Sequence, residues 1–153
     1  MAKRFRFGFV LMLLLFAGSI LSAQSNDMID SILGEETATV GSAAYVALTA
    51  AGLTGDETGR DAAVEIARER GWLTEEADAG SPVTFGEFAF MLMEATEVGG
   101  GLMYIISPGP RYAAREFVYR GWSPERTAPG ATISGQFLIR VTGNFLDRTE
   151  VAR

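Results

Sequence analysis

The sequence predicts a mainly α-helical protein, in which repeated helix–loop–helix units pack as a helical bundle. Apolar residues recur at helical spacing in several segments. Glycines, among them Gly71 and Gly121, stand where those segments should end. Two similar segments, "AAVEIARERGW" and "YAAREFVYRGW", end on Trp72 and Trp122, fifty residues apart. A period of this size is typical of units that bury their apolar faces only against neighbouring units.

Residues 1–23 have the composition of a secretory signal peptide. Three basic residues precede a long apolar run, and the small residues Ser22 and Ala23 close it. We therefore expect export to the periplasm or cell envelope, with cleavage after Ala23. The alternative is an uncleaved anchor, since the run is nearly long enough to span a bilayer. This segment, if it is kept, is the only membrane contact that the sequence predicts.

Composition restricts the chemistry of the remaining chain. Residues 24–153 have no cysteine, no histidine and no lysine, since the only lysine of the sequence is Lys3 in the signal segment. Cysteine nucleophiles, histidine bases and thiolate or imidazole metal sites are therefore absent. We predict a protein that is not an enzyme and that has no cofactor and no metal site.

Acidic and basic residues are unevenly distributed after the signal segment. The predicted mature chain has 19 acidic and 10 basic residues, a net charge of −9, which disfavours nucleic acid as a partner. Residues 24–99 carry a net charge of −12, whereas residues 100–153 carry +3. The basic part therefore either faces the acidic part or meets an anionic partner.

Residues 24–153 are predicted to form one helical domain, of which residues 24–57 are a partial first repeat. The segment "NDMIDSILGEE" predicts a short helix that ends at Gly34. Thr39 is a plausible N-cap for a second helix over residues 41–51, which glycines terminate.

Residues 58–99 form the second predicted repeat. Gly71 suits the left-handed position after its first helix, and Trp72 can fold back over the last helical turn. Thr84 and Glu87 have the spacing of a capping box at the start of its second helix. The apolar stripes of the two helices contain Ala63, Ile66, Ala67, Phe88, Met91, Leu92 and Ala95.

The connector, residues 100–110, contains an apolar run between glycines and prolines. This pattern predicts a short strand near residues 102–106. The residues that we expect it to bury are Met103, Ile105 and Ile106. The alternative is a recognition loop that presents Tyr104 and Arg111.

Residues 111–153 form the third predicted repeat. In its second helix, Gly135-Gln136-Phe137 matches Gly86-Glu87-Phe88 at a distance of forty-nine residues. This order of a glycine-stopped helix, a polar loop and "VTFGEFAFML" resembles the S-layer homology domain. The resemblance implies three repeats that are arranged as a helical pseudo-trimer, and it implies attachment to a cell-wall polymer.

The polymer-binding signature of that family is usually Thr-Arg-Ala-Glu. The matching residues here are Thr84-Phe85-Gly86-Glu87, Thr39-Val40-Gly41-Ser42 and Ile133-Ser134-Gly135-Gln136, and the arginine is absent from all three.

Arginines and aromatic residues interleave in the basic part, and we predict that this is the ligand surface. Guanidinium groups bind carboxylate or phosphate in a bidentate manner, and aromatic faces stack on sugars. The expected ligand is an anionic envelope glycan, an envelope polysaccharide or peptidoglycan. The candidate residues are Arg111, Tyr112, Arg115, Arg120 and Trp122. Alternatively, these arginines pair with acids of the second repeat and the aromatic residues belong to the core.

Two other functions and one metal site stay open as alternatives. One function is a periplasmic adaptor that docks to an envelope protein through apolar faces. The other is a small envelope hydrolase that uses Glu75, Glu76 or Glu87, although such catalysis requires a defined carboxylate pair across a cleft. A calcium loop through Glu76, Asp78 and Glu87 lacks the glycine that such loops have at their sixth position, where Ser81 stands.

Overall fold

The computed structural model describes residues 27–55 and 58–150. The predicted signal segment, residues 1–23, lies outside this part of the chain. The described part is mainly helical, which confirms the predicted fold class. Its helices are α1 (27–33), α2 (Val40–Ala50), α3 (Arg60–Glu69), α4 (Phe85–Ala95), α5 (Leu102–Ile106), α6 (Pro110–Tyr119) and α7 (Gly135–Glu150).

The segments that lead into α2, α4 and α7 meet in the interior. The N–H of Ala38 donates to the carbonyl oxygen of Ile133 (2.7 Å), and the N–H of Val83 donates to that of Ala38 (3.0 Å). All three residues are buried. Two isolated bridges, from Thr39 to Pro82 and from Thr84 to Thr132, extend these contacts. The three helices therefore start from a common backbone junction, which satisfies polar groups that the core would otherwise leave unpaired.

Helix α2 is the central element of the bundle. Every residue from Val40 to Leu48 is buried, and the helix packs against α3, α4 and α7. Its alanines, glycine and serine permit the close approach of several neighbours at once. The large side chains of the core come mainly from the other helices, among them Phe85, Phe117 and Phe145.

The glycine stops adopt the predicted conformation. Gly71 and Gly121 have φ angles of 74° and 68°, in the left-handed region that favours glycine. The N–H groups of Trp72 and Trp122 each donate to a carbonyl five residues earlier, both at 2.9 Å. Both helices therefore end in the same hydrogen-bonding motif, at positions fifty residues apart.

The start of α7 corrects the predicted alignment of the third unit by one residue. Ser134 accepts from the N–H of Phe137 (3.2 Å), as Thr84 accepts from the N–H of Glu87 (3.4 Å). Ser134 is thus the counterpart of Thr84, and the offset is fifty residues rather than forty-nine. Phe137 then occupies the position of Glu87, so no carboxylate is available there for a capping box.

The prediction of a strand near residues 102–106 was wrong, because this segment forms the single helical turn α5. Its N–H groups bond locally, as in the bond from Ile105 to the carbonyl of Gly101 (3.1 Å). A single extended strand would leave those N–H groups without backbone partners, which explains why the segment is helical. The predicted burial was also wrong. Met103, Ile105 and Ile106 are exposed, whereas Tyr104 is buried.

The other helical predictions are largely confirmed. Thr39 caps α2, and Thr84 and Glu87 form the predicted capping box. The predicted stripe of α4 is buried throughout, but in α3 Val64 is buried and Ile66 only partly so. Within the described ranges, no helix combines the length and the hydropathy needed to cross a membrane.

Candidate functional site: a basic groove beside α6

A surface groove of about 690 Å³ lies between the second half of α6 and residues 123–129. Arg115 and Tyr119 line it from the helix, and Arg126 lines it from the loop. Both arginines are exposed, and Tyr119 is 88% exposed. The groove therefore offers two cations and one solvent-facing aromatic ring to a ligand.

Helical periodicity explains why these α6 side chains point outward. Ala113, Ala114 and Phe117 form the buried face of α6. Arg115 and Tyr119 are four residues apart on a different face, so that they are neighbours on the surface. Arg111 is exposed one turn before Arg115 and does not line the groove.

The predicted residue Tyr112 supports an arginine. It is half-buried against the core, and the Cζ atom of Arg115 lies 5.8 Å from the centre of its ring. A cation over an aromatic face gains electrostatic stabilisation, which favours one orientation of the guanidinium group. We therefore assign Tyr112 a positioning role beside the groove.

The loop that closes the groove is held by its own polar contacts. The hydroxyl of Ser123 donates to the carbonyl oxygen of Glu125 (2.8 Å). The carboxylate of Glu125 pairs with Arg140 of α7 (3.1 Å). In residues 27–55 and 58–150, no acidic side chain forms an ion pair with Arg115 or Arg126. The negative charge of Glu125 is thus compensated by Arg140, which lies outside the groove. The charged side chains that line the groove therefore carry a net positive charge.

Arg120 and Trp122 lie away from this groove. The Trp122 ring is only 4% exposed and packs between Phe117 and Phe145, with ring centres at 5.2 and 4.8 Å. The prediction that Trp122 stacks on a sugar is therefore wrong, because the ring belongs to the core, as the alternative interpretation held.

Arg120 forms an ion pair with Glu116 and a cation–π contact with Trp122. Its Nε donates to Glu116 (3.0 Å), and its Cζ lies 4.9 Å from the centre of the Trp122 ring. Glu116 belongs to the same helix, so the expected pairing with acids of the second repeat does not occur at this arginine. Arg120 instead lines a second cleft of about 490 Å³, together with Glu97 and Arg148.

The predicted residues therefore do not form one site, and the groove contains residues that the predicted set omitted. Arg115 lines the groove, whereas Arg120 and Trp122 line the other cleft. Tyr119 and Arg126 belong to the interleaved sequence pattern but not to the predicted set. The position of Tyr119 outside the stripe of Ala113, Ala114 and Phe117 was the signal that it faces solvent.

The acidic loop of the second unit has a different character. Glu75 and Glu76 are exposed, and Asp78 accepts from the N–H of Gly80 (3.1 Å). Glu87 accepts from both the N–H and the hydroxyl of Thr84 (2.9 and 2.7 Å), so it serves the helix cap. The described part of the chain contains no cluster of acidic side chains that could hold a metal ion.

Comparison with protein-family models, with curated proteins and with solved structures finds no match for this chain.

Proposed function

We propose that this protein is an exported, non-catalytic binding module that attaches to an anionic glycan of the cell envelope through the groove beside α6. The observation that carries this proposal is the convergence of Arg115, Arg126 and the exposed Tyr119 on one open groove. Export is supported by the composition of residues 1–23.

The chemistry of the groove suits a sugar polymer that bears carboxylate or phosphate groups. A guanidinium group donates two parallel hydrogen bonds to such an anion. The ring of Tyr119 offers an apolar face to the sugar, and its hydroxyl group can bond to water or to a sugar hydroxyl. Because the groove is open along the surface, a long polymer can pass through it without a chain end.

The direct test is sedimentation of the protein with purified peptidoglycan and with purified anionic wall polymer. The double variant Arg115→Ala/Arg126→Ala should lose about tenfold or more in affinity, because each charged hydrogen bond contributes about 1.5–3 kcal/mol. Tyr119→Ala should lose several-fold. The control Arg70→Ala/Arg148→Ala makes the same change in net charge outside the groove and should bind like the wild type.

Equal recovery of the groove variant and the wild type would refute this ligand surface. Raised salt gives a second criterion, since electrostatic binding weakens with ionic strength, whereas an apolar protein interface persists. Binding that persists at high salt and is unchanged in Arg115→Ala/Arg126→Ala would favour the adaptor function instead.

A further inference from the structure

Helix α5 presents an unusual apolar surface. Leu102, Met103, Ile105 and Ile106 are between 57% and 69% exposed. At 100° per residue these four side chains cover one side of the turn, and Tyr104 lies on the opposite side. Together they expose on the order of 500 Å², within the range of the largest functional patches on monomeric proteins.

One inward side chain holds this turn in place. The hydroxyl of Tyr104 donates to Glu94 of α4 at 2.6 Å, and its ring lies 6.3 Å from that of Phe90. Burial, together with the hydrogen bond to Glu94, raises the pKa of Tyr104 well above its usual range, so the hydroxyl remains a donor. The four exposed side chains are therefore displayed by a fixed turn.

The charges along this segment have one sign. From Val98 to Arg115 the chain has no acidic residue and two arginines, Arg111 and Arg115, both exposed. Two acids lie beside this segment: Glu116 pairs with Arg120, and Glu94 accepts from the hydroxyl of Tyr104. The exposed charged residues within ten positions after α5 are therefore both arginines.

We propose that α5 is a membrane-docking wedge, which inserts its four aliphatic side chains into the surface of an anionic lipid bilayer while Arg111 contacts the headgroups. Apolar side chains beside basic residues are the combination by which proteins bind such surfaces without spanning them. This contact is additional to glycan binding and does not depend on it.

The area of the patch favours a bilayer over a second protein. Each partner in a stable complex buries about 800 Å², which exceeds what α5 offers. A bilayer needs no matching shape, and insertion of a few aliphatic side chains together with charge attraction is sufficient for reversible binding. A second copy of the chain or another protein is therefore the alternative that the experiment must exclude.

A single fluorescent label can test insertion, since the chain has no cysteine of its own. The full chain, as the cell exports it, carries an environment-sensitive fluorophore on Ile105→Cys. The matched control carries it on Leu53→Cys, another exposed aliphatic residue, at the end of α2. Both proteins are mixed with vesicles of phosphatidylcholine, with or without phosphatidylglycerol, and with nitroxide-labelled lipid as the quencher.

We expect a blue shift and quenching at position 105 with phosphatidylglycerol vesicles, and neither at position 53. This contrast holds even if residues 1–23 remain as an anchor, because the label reports depth at one position. In vesicle sedimentation, Ile105→Asp/Ile106→Asp should lower partitioning about tenfold or more. Arg111→Ala should lower it about fivefold, and Leu53→Asp should not change it.

Three results would overturn the proposal. They are an unshifted label at position 105, an equal response on neutral and anionic vesicles, and self-association in sedimentation velocity that Ile105→Asp/Ile106→Asp abolishes. Normal glycan binding by this double variant, beside lost vesicle binding, would separate the wedge from the groove. Loss of glycan binding by Arg115→Ala/Arg126→Ala would test the groove independently of the lipid result.

Discussion

The second and third units use one backbone motif for two different purposes. Helices α3 and α6 end in the same way, with an arginine, a left-handed glycine and a tryptophan. In both, the arginine lies over the indole ring, at 5.2 Å for Arg70 and 4.9 Å for Arg120. Yet Trp72 is only half-buried, whereas Trp122 is almost wholly enclosed.

Neighbouring elements account for this difference. Phe145 of α7 stacks on Phe117, and Trp122 packs edge-on against both rings. Among the described residues, Trp72 has no counterpart of this aromatic stack. The corresponding helix of its unit, α4, is shorter than α7. Edge-to-face aromatic pairs add about 0.5–1.5 kcal/mol each beyond area burial. The local motif therefore positions a tryptophan, and the partner helix determines how much the tryptophan contributes to stability.

The largest expected effect separates the two tryptophans. Trp122→Ala should lower the free energy of unfolding by about 3–5 kcal/mol, as buried aromatic truncations do. Trp72→Ala should lower it by about 1–2 kcal/mol, because its ring is already partly hydrated. Urea unfolding followed by circular dichroism measures both, and the remaining tryptophan in each variant is a fluorescent probe. Equal losses would contradict the asymmetry.

A second comparison concerns the start of α4 and of α7. A Cβ on Gly86 would lie 2.9 Å from the carbonyl oxygens of Pro110 and Pro129, where the third unit packs against the second. Gly86→Ala should therefore cost about 1–3 kcal/mol.

The position equivalent to Gly86 in the third unit is Gln136, which is exposed. Gln136→Ala should change stability by less than about 0.5 kcal/mol. The same unfolding assay applies, and an unchanged stability of Gly86→Ala would show that the contact between the units leaves room for a methyl group.

Helix caps should show a smaller difference. Thr84→Ala removes a reciprocal capping box and should cost about 1–2 kcal/mol, whereas Ser134→Ala removes one bond to Phe137 and should cost about 0.5–1 kcal/mol. The measurement is the shift in the urea midpoint at constant slope. A larger loss at Ser134 would refute the assignment of the single-bond cap to α7.

One further small effect is expected to be a gain in stability. Glu97 ends α4 at a φ of 56°, the conformation that glycines adopt at the ends of α2, α3 and α6. Glu97→Gly should raise stability by about 0.5–1 kcal/mol, because glycine reaches this region without a steric cost. The converse change, Gly121→Ala, should lower stability by about 1–2 kcal/mol. A destabilised Glu97→Gly would show that the carboxylate has a compensating contact.

Local rules determined the ends of several helices from the sequence alone. The stops at Gly71 and Gly121, the cap at Thr39 and the capping box at Thr84 each depend on a few adjacent residues. Such features need no knowledge of the fold, because their hydrogen bonds close within a single helical turn. The buried face of α4 could be predicted for the same reason, since the spacing of its apolar residues matches the helical period.

Only the tertiary structure decided which side chains meet a ligand and which meet the core. Trp122 is buried because α7 brings Phe145 to it, and Tyr119 faces solvent because α6 turns Ala113 and Phe117 inward. Leu102 and its neighbours remain exposed although they are as apolar as core residues. Burial depends on contacts between residues that are distant in the chain, and a sequence pattern shows the preference of a residue without showing its partner.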